Sequence, residues 1–182
     1  MKKVIIIVII LAVGGLFYYY ATRDKSPVKV GTPTANENGN FRPDPSNATF
    51  TFEDESITLS AGRKEMAVAG SVLTEEIVLM DEFAYGDINL DTKEDTVLFL
   101  ARYGAGSGTF IYVAAFVSGP VNYKGSDALY IGDRISPQSI SIDKGVITVK
   151  YLDRESDEPM AAEPTVPVSK QFVYRNGELQ ER

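Results

Sequence analysis

Residues 86–96 read GDINLDTKEDT, and Asp87, Asn89, Asp91 and Asp95 place side-chain oxygens at odd spacing within them. Counting Asp87 as position 1, these oxygens fall at positions 1, 3, 5 and 9, and Lys93 at position 7 could add its backbone carbonyl. Calcium takes about six to eight oxygens, and this spacing wraps them around a point. Two parts of a full calcium loop are missing. Position 6 is Thr92 instead of the glycine that allows the sharp turn, and position 12 is Leu98 instead of a bidentate glutamate. The same residues suit an Asx-rich turn whose side chains bond the local backbone. Two readings therefore stand side by side. One is a degenerate Ca2+ site built on Asp87, Asn89, Asp91, Lys93 and Asp95, completed by Asp81, Glu82 or water. The other is a self-bonded acidic corner.

Other chemistry is sparse. The chain has no Cys and no His, which removes thiol nucleophiles, Ser-His-Asp triads, imidazole metal sites and disulfides. Ser141-Ile142-Asp143-Lys144 matches S-x-x-K, but it runs into a turn and lacks the companion motifs of that enzyme class. GAGSG at 104–108 has neither the spacing nor the following helix of a phosphate loop, and reads as a hairpin connection. Asp127 and Asp133 flank a short strand, so a carboxylate-pair hydrolase acting on cell-wall or extracellular polysaccharide is the competing enzymatic reading. A turn with a local Asp133-Arg134 ion pair explains the same residues without catalysis.

Charge narrows the partners. The net charge is −7, and residues 53–95 hold twelve acidic side chains against three basic ones. Such a surface repels phosphate backbones and anionic headgroups, so nucleic-acid binding is not expected and a cation is favoured.

The elements that must position these residues begin with MKKVIIIVIILAVGGLFYYYATRDK. Val4 to Tyr20 is a 17-residue apolar run, at the lower limit for a helix crossing a bilayer. Lys2 and Lys3 precede it as in an export signal, and Tyr18 to Tyr20 suit the far interface. Ala12-Val13-Gly14 would allow cleavage, but only by leaving LFYYY at the new terminus, so residues 1–21 read as an uncleaved single-pass signal anchor. The expected orientation has the N-terminus inside and the domain periplasmic or extracellular, although Arg23, Lys25 and Lys29 blunt the charge asymmetry. Residues 22–47 contain four prolines and almost no large apolar side chains. They read as a disordered linker with a reach of roughly 30 Å.

From residue 48 to 182 the pattern is strands and turns. ATFTF and SITLS alternate around Glu53-Asp54-Glu55, as a hairpin would. TVLFLARY and TFIYVAAFV are apolar on both alternating faces, which predicts strands covered on two sides. Lys144-Gly145 and Asn176-Gly177 each sit between strand patterns as hairpin turns. Residues 71–85 fit either period, and their β surroundings favour a strand. The expected fold is mainly β, an antiparallel β-sandwich or open barrel preceded by one N-terminal transmembrane helix.

The run GDINLDTKEDTVLFLARYGAGSGTFIYVAAF resembles a family of uncharacterised exported or membrane-anchored bacterial proteins, in which a DxNxDGxxD-like loop leads into a hydrophobic strand and a GGSGTF-like turn. YIGDRISPQSISI, GVITVKYLD and EPMAAEPTVPVSKQF are similar to its downstream segments, and the likeness spans roughly residues 86–180. Members of that family usually have glycines where this chain has Leu90 and Thr92. The resemblance implies export or anchoring and transfers no activity. The reading that follows is a non-catalytic extracytoplasmic domain on a membrane tether, with a binding or envelope-structural role and an envelope protein or polysaccharide as partner. A Ca2+ ion in it would serve the fold.

Overall fold

The computed structural model describes residues 42–104 and 106–182. The apolar segment 1–21 and residues 22–41 of the expected linker lie outside the described residues, as does the anchor's orientation. Among the described residues no helix is long and apolar enough to cross a membrane.

The described chain is mainly β, in antiparallel sheets. A hairpin of β1 (Thr49–Phe52) and β2 (Glu55–Thr58) forms a two-stranded sheet. A six-stranded sheet runs β3 (Arg63–Ala67), β4 (Thr74–Gly86), β5 (Asp95–Tyr103), β6 (Thr109–Val117). Its far edge is shared by β7 (Lys124–Gly125) and β8 (Leu129–Asp133), both paired with β6. The third sheet is a meander of β9 (Ser136–Asp143), β10 (Val146–Asp153), β11 (Val166–Arg175) and β12 (Glu178–Glu181). The ambiguous 71–85 stretch is strand β4, where pairing with both β3 and β5 overrides its weak helical period.

The alternation of β5 and β6 builds three layers. Val97, Phe99, Ala101, Ile111, Val113 and Ala115 face one way and pack on Ile147, Val149, Tyr151 and Phe172 of the four-stranded sheet. Leu98, Leu100 and Ala114 face the other way and pack under Phe50, Phe52, Ile57 and Leu59 of the β1–β2 hairpin. From Asp95 to Ala101 every residue of β5 is buried, as a strand covered on both faces must be. The large-sheet-on-small-sheet packing is consistent with a β-sandwich.

Turn chemistry follows the sequence closely. Lys144-Gly145 has φ of 49° and 77°, and Asn176-Gly177 has 55° and 95°, the two left-handed residues of a tight hairpin turn. The β1–β2 turn is less comfortable, because Glu53 holds φ at 53° with a full side chain.

Residues 42–47, which composition assigns to the linker, are packed onto the domain, so its ordered edge extends at least to Arg42. Pro43, Pro45 and Ser46 are buried, and the Pro43 carbonyl accepts the buried Thr96 hydroxyl at 2.9 Å. The Arg42 guanidinium lies 4.8 Å from the centre of the Tyr85 ring and 3.7 Å from the Glu94 carboxylate. Proline-rich composition signalled a tether, but these rings bury without needing N–H partners.

The central strand dictates the first expected outcome. Phe99 is fully buried between two sheets, so Phe99→Ala should lower the unfolding free energy by about 3–5 kcal/mol, measured by urea denaturation.

Candidate functional site: an acidic corner and an open aromatic depression

The β4–β5 connection brings the five singled-out residues together as a corner. Asp87 accepts the amides of Asp91 at 3.0 Å and Thr92 at 2.7 Å, one on each carboxylate oxygen. Asn89 Oδ1 accepts the Asp91 amide at 3.1 Å, and Asp91 Oδ1 accepts the Lys93 amide at 2.9 Å. Asp95 is fully buried and receives the Ile88 amide at 2.9 Å and the Ser118 amide at 2.7 Å. Lys93 brings its ammonium into the corner, 3.2 Å from the Gly119 carbonyl and 3.8 Å from Asp91.

Ser118, at the end of β6, is the residue that sequence spacing missed. Its hydroxyl donates to Asp91 at 2.6 Å, its amide to Asp95, and its carbonyl accepts the Asn89 side-chain amide at 3.0 Å. No local signal marks it, because it lies 23 residues beyond Asp95 and meets it only through the β5–β6 pairing. Burial pushes the Asp95 carboxyl up, opposed by the N–H bonds from Ser118 and Ile88. For Asp91 burial also acts upward, but the Ser118 hydroxyl, the Lys93 amide and the Lys93 charge together hold it below the usual carboxylate range.

The corner has the backbone of a glycine-bearing loop without the glycines. Leu90 and Thr92 sit at φ of 63° and 71°, a region costly for a residue with a Cβ and more so for a β-branched one. Every carboxylate oxygen of Asp87, Asp91 and Asp95 accepts a hydrogen bond from the protein itself. Among the described residues no three Asp, Glu, His or Cys side chains gather so as to hold a metal ion.

The other sequence candidates separate. Ser141 and Lys144 lie on the β9–β10 hairpin, with no helix to carry S-x-x-K chemistry. Asp133 accepts the Thr109 amide at 2.9 Å and pairs with Arg134 at 2.9 Å, and the Arg134 guanidinium holds its carboxyl below the usual range. Asp127 is exposed. The expected Asp133-Arg134 turn pair is present, and it clamps the end of β8 to the start of β6.

A second site lies where composition gave no hint. The β1–β2 hairpin covers Leu98, Leu100 and Ala114 but stops short of the β5–β6 turn. Beyond its tip the same sheet face is open, leaving a depression of about 480 Å³ lined by Glu53, Glu75, Arg102, Phe110, Tyr112 and Tyr130. Register explains the gathering: Arg102 pairs with Phe110, Leu100 with Tyr112, and Tyr112 with Tyr130. Tyr130 is 51% and Phe110 36% exposed. Tyr130 meets Tyr112 at 5.6 Å and Phe110 at 6.4 Å between ring centres, and Phe52 of the hairpin braces Tyr112 edge-on at 5.0 Å. The glycine-rich turn has a packing role here. A Cβ on Gly108 would sit 2.7 Å from the Phe110 ring, so the glycine lets that ring lie back over the turn. Arg102 is held by Glu75 at 2.6 Å and 3.3 Å, with Glu55 3.9 Å away. Burial raises the Tyr112 hydroxyl above its usual value, against the nearby Arg102 charge, so it stays neutral around pH 7.

No protein-family model, curated protein or solved structure matches the chain. The reading of its sites therefore rests on their own geometry.

The corner generates three expected outcomes. Asp95→Asn sets an amide N–H2 against a buried N–H donor and should cost about 1–3 kcal/mol, whereas Thr92→Gly relieves a left-handed Thr and should stabilise by about 1 kcal/mol. Both are read by urea unfolding. In calorimetry, a corner closed by its own N–H donors gives one melting temperature in calcium and in chelator. A calcium-dependent rise lost in Asp87→Asn would assign an ion to these oxygens.

Proposed function

We propose that this chain is a non-catalytic binding domain, tethered to the outer side of a membrane by its N-terminal segment, that takes its ligand in the aromatic depression. The observation that carries this reading is the depression itself. Large aromatic rings are exposed on the sheet face that the β1–β2 hairpin covers in part, in a concavity of ligand size. Among the described residues its ionisable side chains besides the two tyrosines are Glu53, Glu75 and Arg102, and Glu75 is committed to Arg102. That set offers recognition but no nucleophile with a base to activate it.

The placement of the tether supports the same reading. The described chain enters beside Thr96, at one end of β5, and the depression lies near Arg102, towards the other. At roughly 3.3 Å per residue the two are separated by about 20 Å along the strand. An anchor ahead of Arg42 would thus join the domain at the opposite end of β5 from the depression. In this reading the acidic corner serves the fold, fixing the entry into β5.

Detergent-solubilised full chain incubated with purified, membrane-free cell wall tests the proposal. The expected result is retention on the wall with no release of reducing ends, and loss of retention in a Phe110→Ala/Tyr130→Ala variant whose melting is unchanged. Release of reducing ends that Asp133→Asn abolishes would replace the binding reading with the hydrolase.

A further inference from the structure

We infer that the aromatic depression recognises an ammonium group, a primary amine or a quaternary nitrogen carried on its ligand. This rests on the binding-domain reading and specifies its ligand. Three observations point the same way.

The first is ring orientation. Tyr112 is inclined at 66° and Phe110 at 58° to Tyr130, and the three rings line one concavity. Aromatic rings gathered on the wall of one concavity offer π surface of the kind that attracts an ammonium group.

The second is charge. Arg102 lines the depression, but Glu75 grips it through two nitrogens and Glu55 lies 3.9 Å from it. Its positive charge is thereby offset within the wall. Glu53 enters the depression from the hairpin tip with no protein partner among the described residues. Taken together, Glu53, Glu55 and Glu75 outnumber Arg102, so the rim is net negative and complements a cation.

The third is backbone strain at the same residue. Glu53 holds φ at 53°, a conformation that glycine adopts freely and glutamate does not. A strained residue whose side chain lines a concavity fits a residue kept for its carboxylate rather than for its turn.

The experiment is isothermal titration of the full chain in detergent with choline and with Nα-acetyl-lysine amide. Neutral counterparts, 3,3-dimethylbutanol and Nα,Nε-diacetyl-lysine amide, are titrated alongside. One or both cations should bind weakly and at least about tenfold more tightly than their neutral counterparts, and which cation binds tells a quaternary from a primary ligand. Tyr130→Ala should abolish binding. Glu53→Gly separates function from fold: it should melt no lower than the parent and bind several-fold more weakly, as should Glu53→Gln. Equal binding of the neutral counterparts, or no binding of either cation, overturns the inference. A companion measurement keeps this apart from the broader reading: acetylating the free amines of the purified cell wall should abolish retention. Undiminished retention on acetylated wall overturns the ammonium inference while leaving a binding domain in place.

Discussion

Burial of β5 on both faces from Asp95 to Ala101 is the constraint on which the rest of this structure depends. A strand with no solvent-facing side has to satisfy its backbone through β4 and β6 alone, and its two rows of side chains need a cover each. One row takes the four-stranded sheet and the other the β1–β2 hairpin. The small size of the hairpin then leaves part of that face open. Four residues per strand reach across Leu98 and Leu100 and bring the hairpin tip to Arg102, and the face left open beyond the tip is the aromatic depression.

The two ends of β5 consequently do different work. At its start, Asp95 is buried and tied to the Ile88 and Ser118 amides, which joins the β4–β5 corner to the end of β6. Arg42 and Pro43 close over the same end, so the incoming chain is fastened beside the acidic corner. At its far end the glycine turn after Tyr103 relaxes the packing, Phe110 folds back over Gly108, and side chains are free to meet something other than the protein. Leu90 and Thr92 carry strain at the first end and Glu53 at the second. The corner's strain is matched by many local hydrogen bonds. None of comparable number surrounds Glu53.

Much of the fold was legible because it rested on local chemistry. The double-faced apolar runs of β5 and β6 announced a covered central pair, and Lys144-Gly145 and Asn176-Gly177 announced their turns. The oxygen pattern of Asp87 to Asp95 located a real corner but did not decide how it is held. The donors that close it are backbone amides, together with Ser118 from another strand, and no spacing rule reports those. The depression was illegible for a related reason. Phe110, Tyr112 and Tyr130 read as ordinary strand aromatics, and only the length of a hairpin some fifty residues earlier leaves them open. Residues 42–47 misled in the opposite sense, since four prolines in 22–47 describe a tether while two of them pack.

The central claim is that recognition occurs on the open end of this sheet face and that the acidic corner is structural. Amide chemical-shift mapping during titration with soluble cell-wall fragments tests it most directly. The account predicts shifts gathered at Glu53, Arg102, Phe110, Tyr112 and Tyr130, with residues 87–95 and Ser118 unmoved. Shifts centred on the corner, or on the outer face of β9 to β11, with the aromatic residues silent, would contradict it.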